Sequence, residues 1–213
     1  MNQLVRPSGP LETGQNADND WLTKRRRTLP KYLMAHEIHA LLGCIKDLRD
    51  KAIFRIAYHH GLRASEIRMI QMRDYRPGTQ MGYDRLVLDR LKGSVGGDTI
   101  LVQEAALAIR RWVKKRGMAP GAMFLSQKRS PISRQRLDEL MKYYCGLVGI
   151  PREKAHFHTL KHTCGTIMLS ERRESIVDVQ KHLGHADIRS TMIYADLTEA
   201  ANEERAHRLR NWK

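Results

Sequence analysis

Apolar residues take up helical spacing from about position 35: Ile38, Leu41, Leu42 and Ile45 form one stripe, and Ile53, Ile56 and Ala57 form the next. The second stripe runs into Tyr58-His59-His60-Gly61, where glycine can supply a left-handed cap. A third helix is predicted from near Ala64 to about Met72. Over 84–91 and 99–102 the pattern turns to short β-prone runs, and the glycine-rich stretch 92–98 between them reads as a hairpin tip. Helical patterning returns over 104–116, closed by Gly117, and then over 133–148, 159–169, 175–183 and 188–194, with 122–125 as a candidate extra strand. The stretch 198–212 sets Ala201, Leu209 and Trp212 among many charges, so it reads as a helix with a narrow apolar face, folded on its own core or docked on a neighbouring subunit. The predicted fold class is mainly α with a small antiparallel β-sheet (α+β). It is laid out as a flexible arm over 1–30, a folded domain over 31–197, and a C-terminal helix or tail over 198–213 that two subunits can exchange.

With 213 residues, 41% of them hydrophobic, the chain can bury one good core. The arm is rich in Asn, Asp, Gly, Ser and Thr and carries the basic run Lys24-Arg25-Arg26-Arg27. Those four are candidate contacts to a DNA backbone, though a solvated charge cluster or a targeting address accounts for them equally well. Asp18 and Asp20 form a two-carboxylate pattern in the same arm, where a flexible segment cannot hold a metal geometry. Across the chain, 38 Lys and Arg against 23 Asp and Glu leave a net charge of +15. Such an excess favours a polyanion, because each neutralised phosphate releases condensed counterions. Nucleic acid is the leading partner, and charge alone fits a binder without chemistry as well as it fits an enzyme. Cys44, Cys145 and Cys164 are too few for a disulfide framework, which suits a reducing cytoplasm. No window approaches the ~18 uninterrupted apolar residues of a membrane span, so a soluble cytoplasmic protein is expected.

A basic phosphate-handling enzyme needs divalent metals or fixed cations to neutralise charge on the reacting phosphorus. Outside the arm there is no tight Asp/Glu cluster and no glycine-rich loop ending in Lys-Ser or Lys-Thr. His158 and His162 stand four apart, with His182 and His185 downstream, but a zinc helix needs Glu right after the first His, and here Thr159, Leu160 and Lys161 intervene. Neither a metal nor a cofactor is expected. What remains is a supply of cations and imidazoles beside one phenol. Arg63 follows a helix end, and Glu66, three residues on, can orient its guanidinium; a planar fork suits phosphate, although an isolated Arg there is commonly a surface residue. Lys92 stands among glycines at the hairpin tip, where a flexible amine could act as general acid or simply be solvated. His158 and Lys161, three apart, share one helix face, with Leu160 turned to the core. Leu183-Gly184-His185 ends a further helix, and Tyr194 follows nine residues after His185; a buried structural tyrosine is the ordinary reading of that residue taken alone.

Taken in order, these segments resemble the tyrosine recombinases, or phage integrases. Gly61-Leu62-Arg63-Ala64-Ser65-Glu66-Ile67 is similar to that family's first-arginine box, Lys92 to its mobile hairpin lysine, His158-Thr159-Leu160-Lys161-His162-Thr163 to its His-x-x-Arg box, and Leu183-Gly184-His185 through Tyr194 to its closing box. Order and spacing agree over about 30–197, which the resemblance makes the catalytic domain. The resemblance implies a site-specific recombinase in which Tyr194 attacks the scissile phosphate, forms a 3′-phosphotyrosyl link and releases a 5′-hydroxyl, with no metal or nucleotide consumed. Arg63, Lys161 and His185 would brace the nonbridging oxygens, His158 would help accept the tyrosine proton, Lys92 would protonate the departing oxygen, and Glu66 would support Arg63. Double-stranded DNA is the implied partner, bound by a homo-oligomer of two to four copies, with accessory DNA-bending proteins.

Two departures stand out. The family has a second arginine where this chain has Lys161, and losing one charge-assisted hydrogen bond costs about 1.5–3 kcal/mol, roughly ten- to a hundredfold in rate. Family members also commonly carry an N-terminal DNA-clamping domain, whereas only a short arm precedes residue 31, as in compact single-domain invertases or in an excised fragment. Both features support the competing reading, a non-catalytic DNA-binding regulator on the same scaffold; a topoisomerase-like relaxing enzyme is a third.

Overall fold

The computed structural model describes residues 30–78, 82–88 and 96–210, with backbone alone at 196, 198–205, 207 and 208. The basic run 24–27, Lys92, Asp18, Asp20 and Trp212 lie outside the described residues. Among those described, the chain is mainly α with one small antiparallel sheet, as the hydrophobic pattern predicts. The elements run α1 (Ala35–Cys44), α2 (Leu48–His59), α3 (Ala64–Met69), β1 (Tyr75–Arg76), β2 (Arg85–Leu88), β3 (Gly97–Ile100), α4 (Gln103–Arg116), α5 (Arg134–Leu147), α6 (Thr159–Ser170), α7 (Ile176–Leu183) and α8 (Arg189–Arg210).

Local chemistry sets the boundaries. Asp47, Ser133 and Ser175 cap α2, α5 and α7 by accepting from the backbone N–H three residues on. β2 pairs antiparallel with both neighbours, Leu86 lying opposite Tyr75 on one side and Thr99 on the other. Leu86 and Leu88 point into the core while β3 is largely exposed.

The elements differ from the sequence expectation in several places, and β3 begins already at Gly97, within the stretch read as the hairpin tip. α3 stops at Met69 because the Gln71 N–H turns to the Asp74 carboxylate and the Met72 N–H to the Gly121 carbonyl. The last strand ends at Ile100: the Leu101 N–H still reaches the Asp84 carbonyl in register, but the chain then turns into α4, which begins at Gln103. Residues 122–125 form only isolated bridges, Gln71 with Ala122 and Leu125 with Pro131, because neighbouring backbone groups bond different segments and no ladder can build. The helices expected over 188–194 and 198–212 are one continuous α8.

α2 is the spine of the domain, packed against α4 on one side and α6 on another. Phe54 at its centre is fully buried and meets Tyr144 and Phe157 edge-on, with ring centroids 5.5 and 5.6 Å away. The sheet is tied to α4 by Asp84, a buried carboxylate that accepts from the Tyr75 hydroxyl at 2.7 Å, the Gly78 N–H at 2.7 Å and Arg110 Nε at 2.8 Å. Burial alone would raise the Asp84 pKa, but the bonds from Arg110, Gly78 and Tyr75 outweigh it and hold the carboxyl below its ordinary value.

A carboxyl held lower in the folded than in the unfolded chain adds stability above the ordinary carboxylate pKa of about 3.9, and that stability is lost as pH falls through the folded value. Asp84→Asn should therefore cost about 1–3 kcal/mol in urea unfolding at pH 7, and the gap from the parent should narrow below pH about 4.

Candidate active site

The first site segment is the turn between α2 and α3. Gly61 holds the left-handed conformation (φ +57°), and a Cβ there would lie 2.2 Å from Leu183 Cδ2, so both the turn and the approach of α7 require glycine. Arg63 then starts α3. Glu66, one turn later and 2% exposed, accepts from the Arg63 backbone N–H at 2.7 Å and from its Nη1 at 2.9 Å. One buried carboxylate thus fixes both the backbone and the near edge of the guanidinium, while the side chain keeps 27% of its surface open.

The second segment is α6, buried on nearly every side between α2, α7 and α8. Lys161 is 1% exposed and donates through Nζ to the Gly61 carbonyl at 2.8 Å and the Leu183 carbonyl at 2.7 Å. Those carbonyls stand at the C-terminal ends of α2 and α7, where helix dipoles present negative charge and carbonyls lack helical partners. One cation therefore closes two helix ends. His158 lies exposed at the start of α6, and its ring meets that of His162 edge-on at 4.4 Å. Desolvation lowers the His158 pKa, and the charges of Lys161 and Arg63 lower it further. Burial, then His158 and Lys161, pull His162 down to about 4. Both imidazoles are neutral at pH 7.

The third segment joins α7 to α8. α7 ends on left-handed Gly184, and His185 turns back so that its N–H bonds the Gln180 carbonyl and its Nδ1 lies 2.9 Å from the Thr191 hydroxyl. Tyr194, on the second turn of α8, is 1% exposed. Its ring runs nearly parallel to that of His185, with centroids 6.3 Å apart, and its hydroxyl lies 3.2 Å from His162 Nδ1. Beneath it lies Gly165, where a Cβ would come within 2.7–2.9 Å of three ring atoms. Burial raises the phenol's pKa well above the ordinary tyrosine value, and the Arg63 charge only partly offsets this.

Arg63, Glu66, His158, Lys161, His185 and Tyr194 thus come together where the α2–α3 turn, α6, the α7–α8 connection and α8 meet. Reading the sequence did not assign His162 to this site, although its spacing of four from His158 puts it on the same face. Among the described residues, no three His, Cys, Asp or Glu side chains gather as a metal site. No described helix is long and apolar enough to cross a membrane. An open cleft of about 850 Å³, lined in part by Arg49, Trp112, Lys115, Lys128 and Arg136, lies away from the tyrosine and adds to the cationic surface.

The chain matches the phage integrase family over residues 31–201 and belongs to that family, the tyrosine recombinases. It is 29% identical to the type 1 fimbriae regulatory protein FimE of Escherichia coli K12, the match covering 81% of this chain and 86% of FimE. It is 32% identical to tyrosine recombinase XerC of Shewanella amazonensis, over 92% of this chain and 66% of XerC, and 32% identical to XerD of Proteus mirabilis, over 80% and 56%. The chain thus spans about half to two thirds of the XerC and XerD proteins. Two solved structures share its fold at 23% identity and a TM-score of 0.70: XerH bound to palindromic difH, over 84% of this chain and 53% of that one, and XerA, over 90% and 67%.

Lys161→Met should strand two buried carbonyls and cost about 2–4 kcal/mol in urea unfolding. Gly165→Ala, which would add roughly 1 kcal/mol of stability in an open helix, is expected instead to lower it by about 1–3 kcal/mol, because the methyl group meets the Tyr194 ring. The same unfolding curves measure both.

Proposed function

We propose that this chain is a site-specific DNA recombinase that cuts and rejoins duplex DNA through a 3′-phosphotyrosyl intermediate on Tyr194. The observation that carries the reading is the setting of the Tyr194 hydroxyl, held against His162 and stacked beside His185, within reach of the Arg63 charge. A phenol kept protonated by burial is inert until a phosphate arrives, and the groups around it suit that phosphate. Arg63 offers the planar fork for the nonbridging oxygens, His185 and His158 offer ring N–H donors, and Lys161 supplies positive potential from behind.

In this reading the Tyr194 oxygen attacks phosphorus and the bond to the 5′-oxygen breaks. Lys92, in the connection between β2 and β3, protonates the departing oxygen. His158, beside His162, helps carry the phenolic proton away, and fixed cations take the place of a metal ion throughout. The XerC and XerD relatives are named tyrosine recombinases, and a lambda integrase structure, with a TM-score of 0.62 to this fold, is a dimer bound to a core site. These support duplex DNA as the substrate; an assembly of two to four copies on it, aided by DNA-bending proteins, is part of the same proposal. The basic run 24–27 would add backbone contacts, and the protein would work in the cytoplasm of a bacterial, archaeal or phage-infected cell. The regulator reading is not favoured, because the chain keeps both the tyrosine and the basic groups around it.

A nicked suicide duplex carrying the DNA that flanks the gene tests this. The parent chain should form a protein–DNA adduct that survives detergent, and Tyr194→Phe should form none. Arg63→Ala should slow adduct formation by about 10²–10³-fold while duplex binding is retained. Binding without any adduct in the parent chain would overturn the reading.

A further inference from the structure

Resting on the recombinase reading, we propose that His162 is a catalytic residue of this chain, the imidazole that takes the phenolic proton as Tyr194 attacks phosphorus. Three features of the site point to it. First, its Nδ1 lies 3.2 Å from the reacting oxygen, at hydrogen-bond distance. Second, both groups are neutral in the free site, so in the ring tautomer that leaves Nδ1 bare the phenol donates to it and the proton has an acceptor already in place. Third, both partners are fixed. His162 rides on α6, and Gly165, one turn later on the same helix, forms the floor against which the tyrosine ring is pressed. The parallel ring of His185 stands beside the tyrosine. A tyrosine set in that notch presents its hydroxyl to His162.

The weakness of His162 as a base in the free protein is part of the device. Burial and the nearby His158 and Lys161 hold its pKa near 4, which keeps it neutral and ready to accept. Burial is the larger cause and persists, but a phosphodiester anion bound at Arg63 would offset the part of the depression that comes from Lys161, so the base strengthens when the substrate is in place. The His158 ring, 4.4 Å away and exposed, offers the proton a route onward.

The step balances. The O–H bond of Tyr194 breaks and its proton goes to His162 Nδ1 as the new O–P bond forms. The P–O5′ bond breaks, and the 5′-oxygen takes a proton from the general acid assigned to Lys92. On resealing, a 5′-hydroxyl attacks the phosphotyrosyl phosphorus and returns a proton to that acid, while the tyrosine oxygen recovers its own from His162.

The test is single-turnover adduct formation on the nicked suicide duplex. His162→Asn keeps an acceptor oxygen near the place of Nδ1 but cannot take up a proton, and it should slow adduct formation by about 10²-fold or more with duplex binding unchanged. Replacing Tyr194 with a fluorinated tyrosine, whose phenol ionises without help, should restore the His162→Asn rate to within about tenfold of the parent, and should leave the Arg63→Ala deficit in place. A His162→Asn variant that cleaves at the parental rate, or a deficit that fluorination does not lessen, overturns the proposal and leaves the recombinase reading standing. Absence of any Tyr194-dependent adduct in the parent chain overturns the recombinase reading itself. If His162→Asn melts below the assay temperature, His162→Gln takes its place under the same criteria.

Discussion

The site depends on one buried ammonium. Lys161 joins the C-terminal ends of α2 and α7 through carbonyls 2.8 and 2.7 Å away, and the residues two beyond those carbonyls are Arg63 and His185. Taking a charge out of water is costly, so the cation tolerates little displacement from its partners. Whatever holds Lys161 therefore holds the two loops that carry a guanidinium and an imidazole, and α6 itself carries the other two imidazoles. Three chain segments far apart in sequence are set relative to one another by a few hydrogen bonds at their common centre.

The rest of the fold serves that centre by packing α6 on several sides. α6 is buried between α2, α7 and α8, and α2 is anchored on its far side by α4 and, through Phe54, by Tyr144 and Phe157. Tyr144 in turn donates to Asp50 on α2 at 2.9 Å, so α5 is hydrogen-bonded to the same helix it packs on. Close beside the site, the His60 and His182 rings stack at 5.8 Å, and His182 Nε2 donates to the His59 carbonyl at 2.7 Å, a second bond between the ends of α2 and α7. The nucleophile proposed above needs such support, because small misplacements cost large factors in rate.

What could be read from the sequence was whatever short spacing encodes. The three-residue step from Arg63 to Glu66 places carboxylate and guanidinium on one face, and the structure joins them at 2.9 Å. The alternation over 84–88 and the glycines after it mark a hairpin, and most helices fall where the apolar stripes lie. The pairing of His162 with Tyr194 was not legible, because the two are 32 residues apart and meet only through the packing of α6 on α8. The two-residue strand Tyr75–Arg76 carries too little pattern to be seen alone. The Lys161 contacts were hidden for another reason: a lysine in a basic chain reads as a group that seeks phosphate, and nothing in the primary order reveals two helix ends waiting for it.

Those contacts also change the meaning of lysine at this position. Set against arginine on a phosphate, lysine loses the planar fork, and a cost of ten- to a hundredfold follows if phosphate binding is the residue's whole task. Two carbonyls on the ends of different helices do not present the parallel pair of acceptors that a fork matches. They suit a compact ammonium, whose donors diverge around a single nitrogen. On the proposed reading the bidentate role falls to Arg63, braced by Glu66, and the ammonium would act through its charge and through the two loops it binds. On that reading the penalty expected of lysine is smaller than the loss of a fork implies, because the ammonium is already held by the two carbonyls.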